Sequence, residues 1–513
     1  MIGGLCKSAS RLALVAAAGV IVGGVAVPSA KAADLGGDCC ADLEERVAEL
    51  EATTARKGNR KVKLEVSGQV NEAFLWYDDG VESNAGVYTN DNARTRFRFK
   101  GDAKISDDVK AGFLIEVGIR SQNSKRFDQE DPSGCAAPAP ALATQVPSCG
   151  LDLRHSVWYI DSKKYGRVWV GLTGGAGESI TEINLAASKD VLKYSDIEDT
   201  GLGLFTRTAN GTQLATRSST GGRTGLEWRQ LIRGGGDQPG EGHRWEMIRY
   251  DTPEIFGFVG TVNYGEDDAW EAGLRYTNDK FHGFKIAAGF AYGENTEGPL
   301  DPYNSDPTPG FQCLGNNLDG TVYGSAGRPD TRCSQFGGSI SVMHLESGIY
   351  GNFAAGYMKD DAINSDPGFK PLGRIPDDTS DFYAFEIGIE HKWWDLGKTT
   401  VFGQYYRNEG GSQDRTVTTV VAGCSWNDAT NTPGGGGSAG NACNGDEDGD
   451  LQSSTLESFG LGVIQGIEKA AMHVYVVYRH YEGDIVTNGD PLPGSKIELD
   501  DLDVAMGGAI IKF

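Results

Sequence analysis

The sequence predicts an all-β fold, a transmembrane antiparallel β-barrel of about 16 strands with long loops on one rim. Three observations carry that expectation. Apolar and polar residues alternate with period two over segments as long as a tilted membrane strand requires. The connections between segments alternate between short turns and long excursions, and after Ala33 no run of apolar residues is long enough for a spanning helix.

The N-terminus reads as an export signal over residues 1–32. Lys7 and Arg11 precede the apolar run Leu12 to Val27, and Ala30-Lys31-Ala32 supplies small residues for cleavage after Ala32. Residues 33–60 then form a separate periplasmic segment. Within it Leu43, Val47, Leu50 and Thr54 recur at spacings of four and three, which predicts a short coiled-coil-like helix over Ala41 to Arg56. Two heptads are marginal alone, so this helix either meets copies of itself or rests on its own chain.

From residue 61 to 513 the pattern is that of strands. In the first, Val62, Leu64, Val66, Val70, Phe74 and Trp76 alternate with Lys63, Glu65, Ser67, Gln69 and Asn71. Val109 to Arg120 and Tyr383 to Glu390 repeat the alternation. Candidate strands begin near Val62, Arg94, Val109, Leu153, Arg167, Arg244, Gly257, Trp270, Phe284, Phe336, Gly348, Asp381, Lys398, Thr455, Ala470 and Asp500. Ile105 to Asp108, Asp161 to Gly166, Leu345 to Gly348, Trp393 to Gly397 and Gly466 to Ala470 read as short turns. Ser121 to Asp152, Glu294 to Gln335, Met358 to Ser380 and Glu409 to Ser454 read as long loops facing outward. A soluble sandwich would also alternate, but Trp76-Tyr77, Trp158-Tyr159, Trp393-Trp394, Tyr405-Tyr406 and Tyr478 fall near strand ends, where amphipathic rings suit two lipid interfaces.

A net charge of -24 argues against nucleic acid as a partner. Cysteine usage fits an oxidising compartment: Cys6 falls in the signal and Cys39 and Cys40 are adjacent near the mature end. The other six form three local pairs, Cys135/Cys149, Cys313/Cys333 and Cys424/Cys443, each inside one Gly- and Pro-rich stretch, and are expected to be loop disulfides. No C-x-x-C or adjacent His accompanies them, so no metal is expected. His473 and His480, seven apart on a strand, fall on opposite faces. The run Asp446, Asp448, Asp450 has Leu451 where a calcium loop requires glycine, and reads as a solvated loop, loosely bridged by divalent cations at the lipopolysaccharide surface. No G-x-S-x-G, G-K-[ST] or H-E-x-x-H is present, so neither an enzyme nor a cofactor is expected.

The chain closes on DVAMGGAIIKF, with Phe513, Ile511, Ala509, Gly507 and Ala505 on one side of a last strand. A terminal aromatic in that setting looks like the signal by which barrel-assembly machinery recognises outer-membrane proteins. Together with the leader DCCADLEERVAELEATTARKGNRKV and the first strand VSGQVNEAFLWYDDG, it makes the chain similar to the alphaproteobacterial general porins. The likeness is strongest over Asp38 to Arg120 and the last strand, and thins in the loops. It implies a homotrimer of sixteen-stranded barrels, integral to the bacterial outer membrane, whose third loop folds into the lumen.

Strand order puts that third loop at about residues 173–243, an interval with no lipid-facing strand. It carries Glu178, Glu182, Asp190, Asp196, Glu198 and Asp199, then Arg207, Arg217, Arg223, Arg229 and Arg233. In the second strand, RTRFRFK, Arg94, Arg96 and Arg98 share a face opposite Phe97 and Phe99. Each arginine would cost about 2 to 4 kcal/mol on the lipid face near the midplane, so this ladder is expected to line a pore. Arg120 and Arg154 are expected to extend it, with Glu178, Glu182 and Asp190 opposing it to set a transverse field. The plainer alternative is that these charges solvate the wall and brace the loop.

The expected function is passive diffusion of small hydrophilic solutes and ions through a water-filled channel. A different class remains open at this point: a barrel acting mainly as an adhesin, or as a structural anchor reaching the cell wall through its N-terminal helix.

Overall fold

The computed structural model describes residues 61–135, 149–217, 223–232, 238–265, 268–296, 332–361, 377–410, 449–489 and 492–513, with short backbone pieces at 416–419, 426–427 and 432–433. The expected signal and N-terminal helix lie outside these residues. So do Cys313, Cys424, Cys443 and the acids Asp446 and Asp448.

The wall consists of 16 antiparallel strands. They are β1 (Lys63–Asp78), β2 (Arg96–Lys104), β3 (Val109–Arg120), β4 (Gly150–Ser162), β5 (Gly166–Gly174), β6 (Arg244–Asp251), β7 (Phe258–Gly265) and β8 (Trp270–Phe281). The circuit continues through β9 (Phe284–Asn295), β10 (Cys333–His344), β11 (Ile349–Asp360), β12 (Thr379–Trp394), β13 (Gly397–Gly410), β14 (Gly449–Ile467), β15 (Met472–Gly489) and β16 (Leu502–Lys512). Each pairs with the next in the chain, and β1 pairs with β16 from Gln69↔Lys512 to Asp78↔Asp503, so the barrel closes without a free edge. No helix among the described residues is long and apolar enough to cross a membrane.

The last residue extends this seam by one more pair. The backbone N–H of Gly68 donates to the Phe513 carbonyl at 2.8 Å, and that of Phe513 to the Gly68 carbonyl at 3.0 Å. A Cβ at position 68 would sit 2.6 Å from the Arg96 carbonyl oxygen and 2.6 Å from the Phe513 ring, and the backbone contact in particular leaves room only for glycine.

Alternation sorts the two faces. On β1, Val66, Val70 and Phe74 are exposed on the outside, whereas Gln69 and Asn71 are buried inward. Phe385 and Ile387 on β12 and Phe459, Leu461 and Val463 on β14 extend the same outer band, which is the greasy surface that lipid requires. His480 points outward with Asp503 while His473 points inward, as period two demands.

One sequence expectation needs correcting. The second strand begins at Arg96, because the Asn90 side chain accepts from the Asn92 N–H at 3.1 Å and caps a 3-10 turn, Asp91–Ala93, leaving Arg94 between turn and strand. The inner face is polar over part of the wall and apolar over the rest. Tyr350, Phe382, Tyr406, Leu456, Tyr475, Val477, Tyr481, Ile485, Val504 and Met506 all point inward from β11 to β16 and are buried.

Those apolar residues are covered by the described residues of the segment between β5 and β6, 175–217, 223–232 and 238–243. Strands β5 and β6 pair directly beneath them, from Arg167↔Asp251 to Gly174↔Arg244. The segment's own Val191, Leu192, Tyr194, Ile197, Leu202, Leu204, Leu226, Trp228, Leu231 and Ile232 form one core with that half of the wall. Such a core removes apolar surface from water on both sides, which is what holds so long an excursion inside.

Candidate functional site

The site is the part of the barrel interior, built from β2 to β6, that the inserted loop leaves partly open. On β2 the pairing Gln69↔Arg96 and Ser67↔Arg98 puts both arginines on the inward face. Glu116 of β3 stands opposite Arg98 in register and is almost completely buried. It accepts from Arg98 Nε at 2.7 Å and from Arg154 Nε at 2.8 Å, while Arg96 approaches at 3.9 Å. Arg154 reaches it because the β3–β4 ladder shifts register between Glu116 and Val117, turning an extra residue inward.

A second group lies alongside. Arg120 holds Asp91 in a two-pronged grip, Nε to Oδ1 at 2.8 Å and Nη2 to Oδ2 at 3.1 Å. Arg94 bonds Asp152 at 2.6 Å and approaches Asp91 at 3.3 Å. Burial alone would raise the Asp91 carboxyl, but Arg120 and Arg94 outweigh it and hold that group well below the usual range.

The loop acids part ways. Glu178 pairs with Arg244, at the foot of β6, and so joins the arginine group. Its burial pushes the carboxyl up; Arg244, His155 and Arg154 pull harder, leaving it at about 2. Glu182 instead bonds Lys193 of the same loop at 3.1 Å, and Asp190 bonds Lys512 at 2.5 Å. These two acids are therefore paired with lysines rather than with the arginine ladder.

Lys193 also bonds Asp196 at 2.6 Å and Asp199 at 3.2 Å, and Lys125 bonds Glu198. Asp196, Glu198 and Asp199 place their oxygens within 4.8 Å of one another, so ammonium groups supply the counter-charge inside this buried knot. The acids hold Lys193 well above its ordinary pKa even though burial opposes it. The knot ties the loop to residues 121–135 and braces it.

Polar anchors fix the rest of the loop. Glu386 of β12 accepts from Ser188 Oγ at 2.7 Å, Asn184 Nδ2 at 3.2 Å, Asn352 Nδ2 at 3.1 Å and Gln404 Nε2 at 2.6 Å. Glu271 of β8 accepts from the Gly177 N–H at 3.1 Å. On β11, Gly356 admits the loop's return limb, since a Cβ there would lie 1.9 Å from the Pro239 carbonyl oxygen.

Sequence reasoning did not single out Glu116, Asp91, Asp152 or Arg244 as site residues. Glu116 carried a signal, an acid of inward parity between Ile115 and Val117, but linking it to Arg98 requires the strand register. Of the expected disulfides, Cys135–Cys149 is formed and Cys333 is disulfide-bonded.

A family model described as Gram-negative porin matches residues 13–485. No curated protein matches the chain. Among solved structures, OmpT of Vibrio cholerae is 10% identical with a TM-score of 0.43, covering 89% of this chain and 99% of that one. The anion-selective porin from Comamonas acidovorans is 12% identical with a TM-score of 0.45, covering 88% and 100%. Salmonella typhi OmpF in complex with daunomycin is 14% identical with a TM-score of 0.43, covering 88% and 98%. The chain belongs to the Gram-negative porin family and is an integral outer-membrane β-barrel.

Proposed function

We propose that the protein is a passive channel for small hydrophilic solutes and ions, with the passage running along β2 to β6. One observation carries this reading: the inserted loop packs against the other half of the wall and leaves the charged half partly open, with Arg96, Arg98, Asp152 and Arg244 side chains retaining access to solvent. Charges on an inner wall without a dry covering call for water beside them.

In this reading Arg94, Arg96, Arg98, Arg120 and Arg154 line the passage with Glu178 facing them, and residues 173–243 set its narrowest part. Glu182 and Asp190 brace the loop from its edge. The mature chain starts after Ala32, assembles as a homotrimer like the alphaproteobacterial general porins it resembles, and presents Phe513 to the barrel-assembly machinery and its long loops to lipopolysaccharide. No catalytic chemistry is assigned to it.

Purified protein inserted into planar bilayers tests this. Discrete, steady open levels at modest voltage are expected, and Arg98→Glu should shift the zero-current potential in a salt gradient toward cations. A folded barrel that stays electrically silent would remove the channel reading.

A further inference from the structure

The charges of the open half do not cancel. Arg94 and Arg120 have Asp91 and Asp152 between them, one carboxylate each. Among the described residues, Arg96, Arg98, Arg154 and Arg244 have only Glu116 and Glu178 as ion-pair partners. Two guanidinium charges are left over, inside a chain whose net charge is -24, so the surplus is local and does not follow from composition.

The surplus is also accessible. The Arg96 guanidinium makes no hydrogen bond among the described residues, and its side chain retains 25% of its exposure. Arg98 retains 41% and Arg244 29%. Arg244 keeps a buried Nε without a hydrogen-bond partner among the described residues. Spare N–H donors on planar cations, held by strands and half withdrawn from water, match the oxygen pairs of a carboxylate or phosphate far better than a bare halide.

We infer that Arg96, with Arg98, Arg154 and Arg244, forms an oxyanion-binding station in the passage, where small carboxylates or phosphate pause during transit. This rests on the channel reading and adds the class of solute. The station holds its ligand by exchangeable hydrogen bonds, so transit needs no energy source and dwell time sets selectivity.

The test is block of chloride current. In a potassium chloride bilayer, inorganic phosphate should reduce the current through the wild-type channel in a concentration-dependent way. In Arg96→Gln the half-blocking concentration should rise about tenfold, the worth of one hydrogen bond to a charged group. Arg96→Lys should keep the zero-current potential yet weaken block, because it preserves charge without the planar fork. Arg407→Gln, removing a like charge from the outer face, should leave block unchanged.

Acetate acting as phosphate does would extend the station to carboxylates, whereas phosphate acting alone would narrow it to phosphate. An open channel in which neither blocks, or in which Arg96→Gln blocks like wild type, overturns the inference while sparing the channel. Should the bilayers stay silent, phosphorus-31 line broadening of inorganic phosphate by detergent-solubilised folded protein decides the station separately. Equal broadening by wild type and Arg96→Gln would count against it.

Discussion

The barrel's inner surface is two surfaces. From β2 to β6 it presents Arg96, Arg98, Glu116, Arg154, Asp161, Arg167 and Asp251, each carboxylate met by a guanidinium and several of these groups still reaching solvent. From β11 to β16 the inward positions include Tyr350, Phe382, Tyr406, Leu456, Tyr475, Val477 and Val504, sealed by the inserted loop together with buried polar anchors such as Glu386, Gln404 and Arg479. Both halves obey the same period of two, so alternation says only which residues point inward. What meets them there differs: partly open space on one side, a folded segment of the same chain on the other.

The sharpest way to break this comparison is to put one charge on each half. Val504→Asp would bury an ion with no partner, costing several kcal/mol and ejecting the loop. Leu114→Asp, on the inward face of β3, should leave the loop docked and shift only ion preference. Limited proteolysis of the loop in folded, detergent-solubilised protein distinguishes them; equal resistance of the two variants would mean that the halves do not differ as described.

Removing packing tests the dry side alone. Trp228 is buried against Tyr481, with ring centroids 6.3 Å apart. Trp228→Ala should weaken loop docking by about 3 to 5 kcal/mol, read as noisier and larger single-channel currents. Unchanged current traces would argue that the loop is held by polar anchors instead.

A smaller effect is expected at Glu386, whose carboxylate is surrounded by donors. Glu386→Gln places an amide N–H₂ among them and should cost about 1 to 3 kcal/mol, seen as lower thermal stability of the folded barrel.

The smallest effect is a pH response on the wet side. Glu178 has its folded-state pKa depressed from an ordinary 4.5 to about 2, so its pairing with Arg244 stabilises the loop foot fully above the ordinary value. That contribution falls away as pH drops from about 4.5 toward 2. Current noise should rise through that window in wild type and be pH-independent, at the acid-end level, in Glu178→Gln.

Much of the wall was legible in advance. Candidate strand starts at Val109, Arg167, Arg244, Trp270 and Phe284 stand within a residue of the observed ones, because period two and short turns are written locally. Arg94 shows the limit: its parity was readable, but the Asn90-capped turn that removes it from β2 was not. Glu182 and Asp190 show another. Each is an acid in an inserted loop, and only the fold brings Lys193 and Lys512 within reach of them.

The amino-acid order alone determined that the chain is a membrane barrel, which positions face in, and that a segment near 173–243 is not wall. Those properties depend on neighbours one or two residues apart. Tertiary structure alone decided which half of the interior is wet, since apolar inward residues on β11 to β16 become dry only when Leu204, Trp228 and Leu231 come back from far along the chain to cover them. It likewise decided which cations meet which acids, because electrostatic pairing depends on distance in space, and alternation carries no record of that distance.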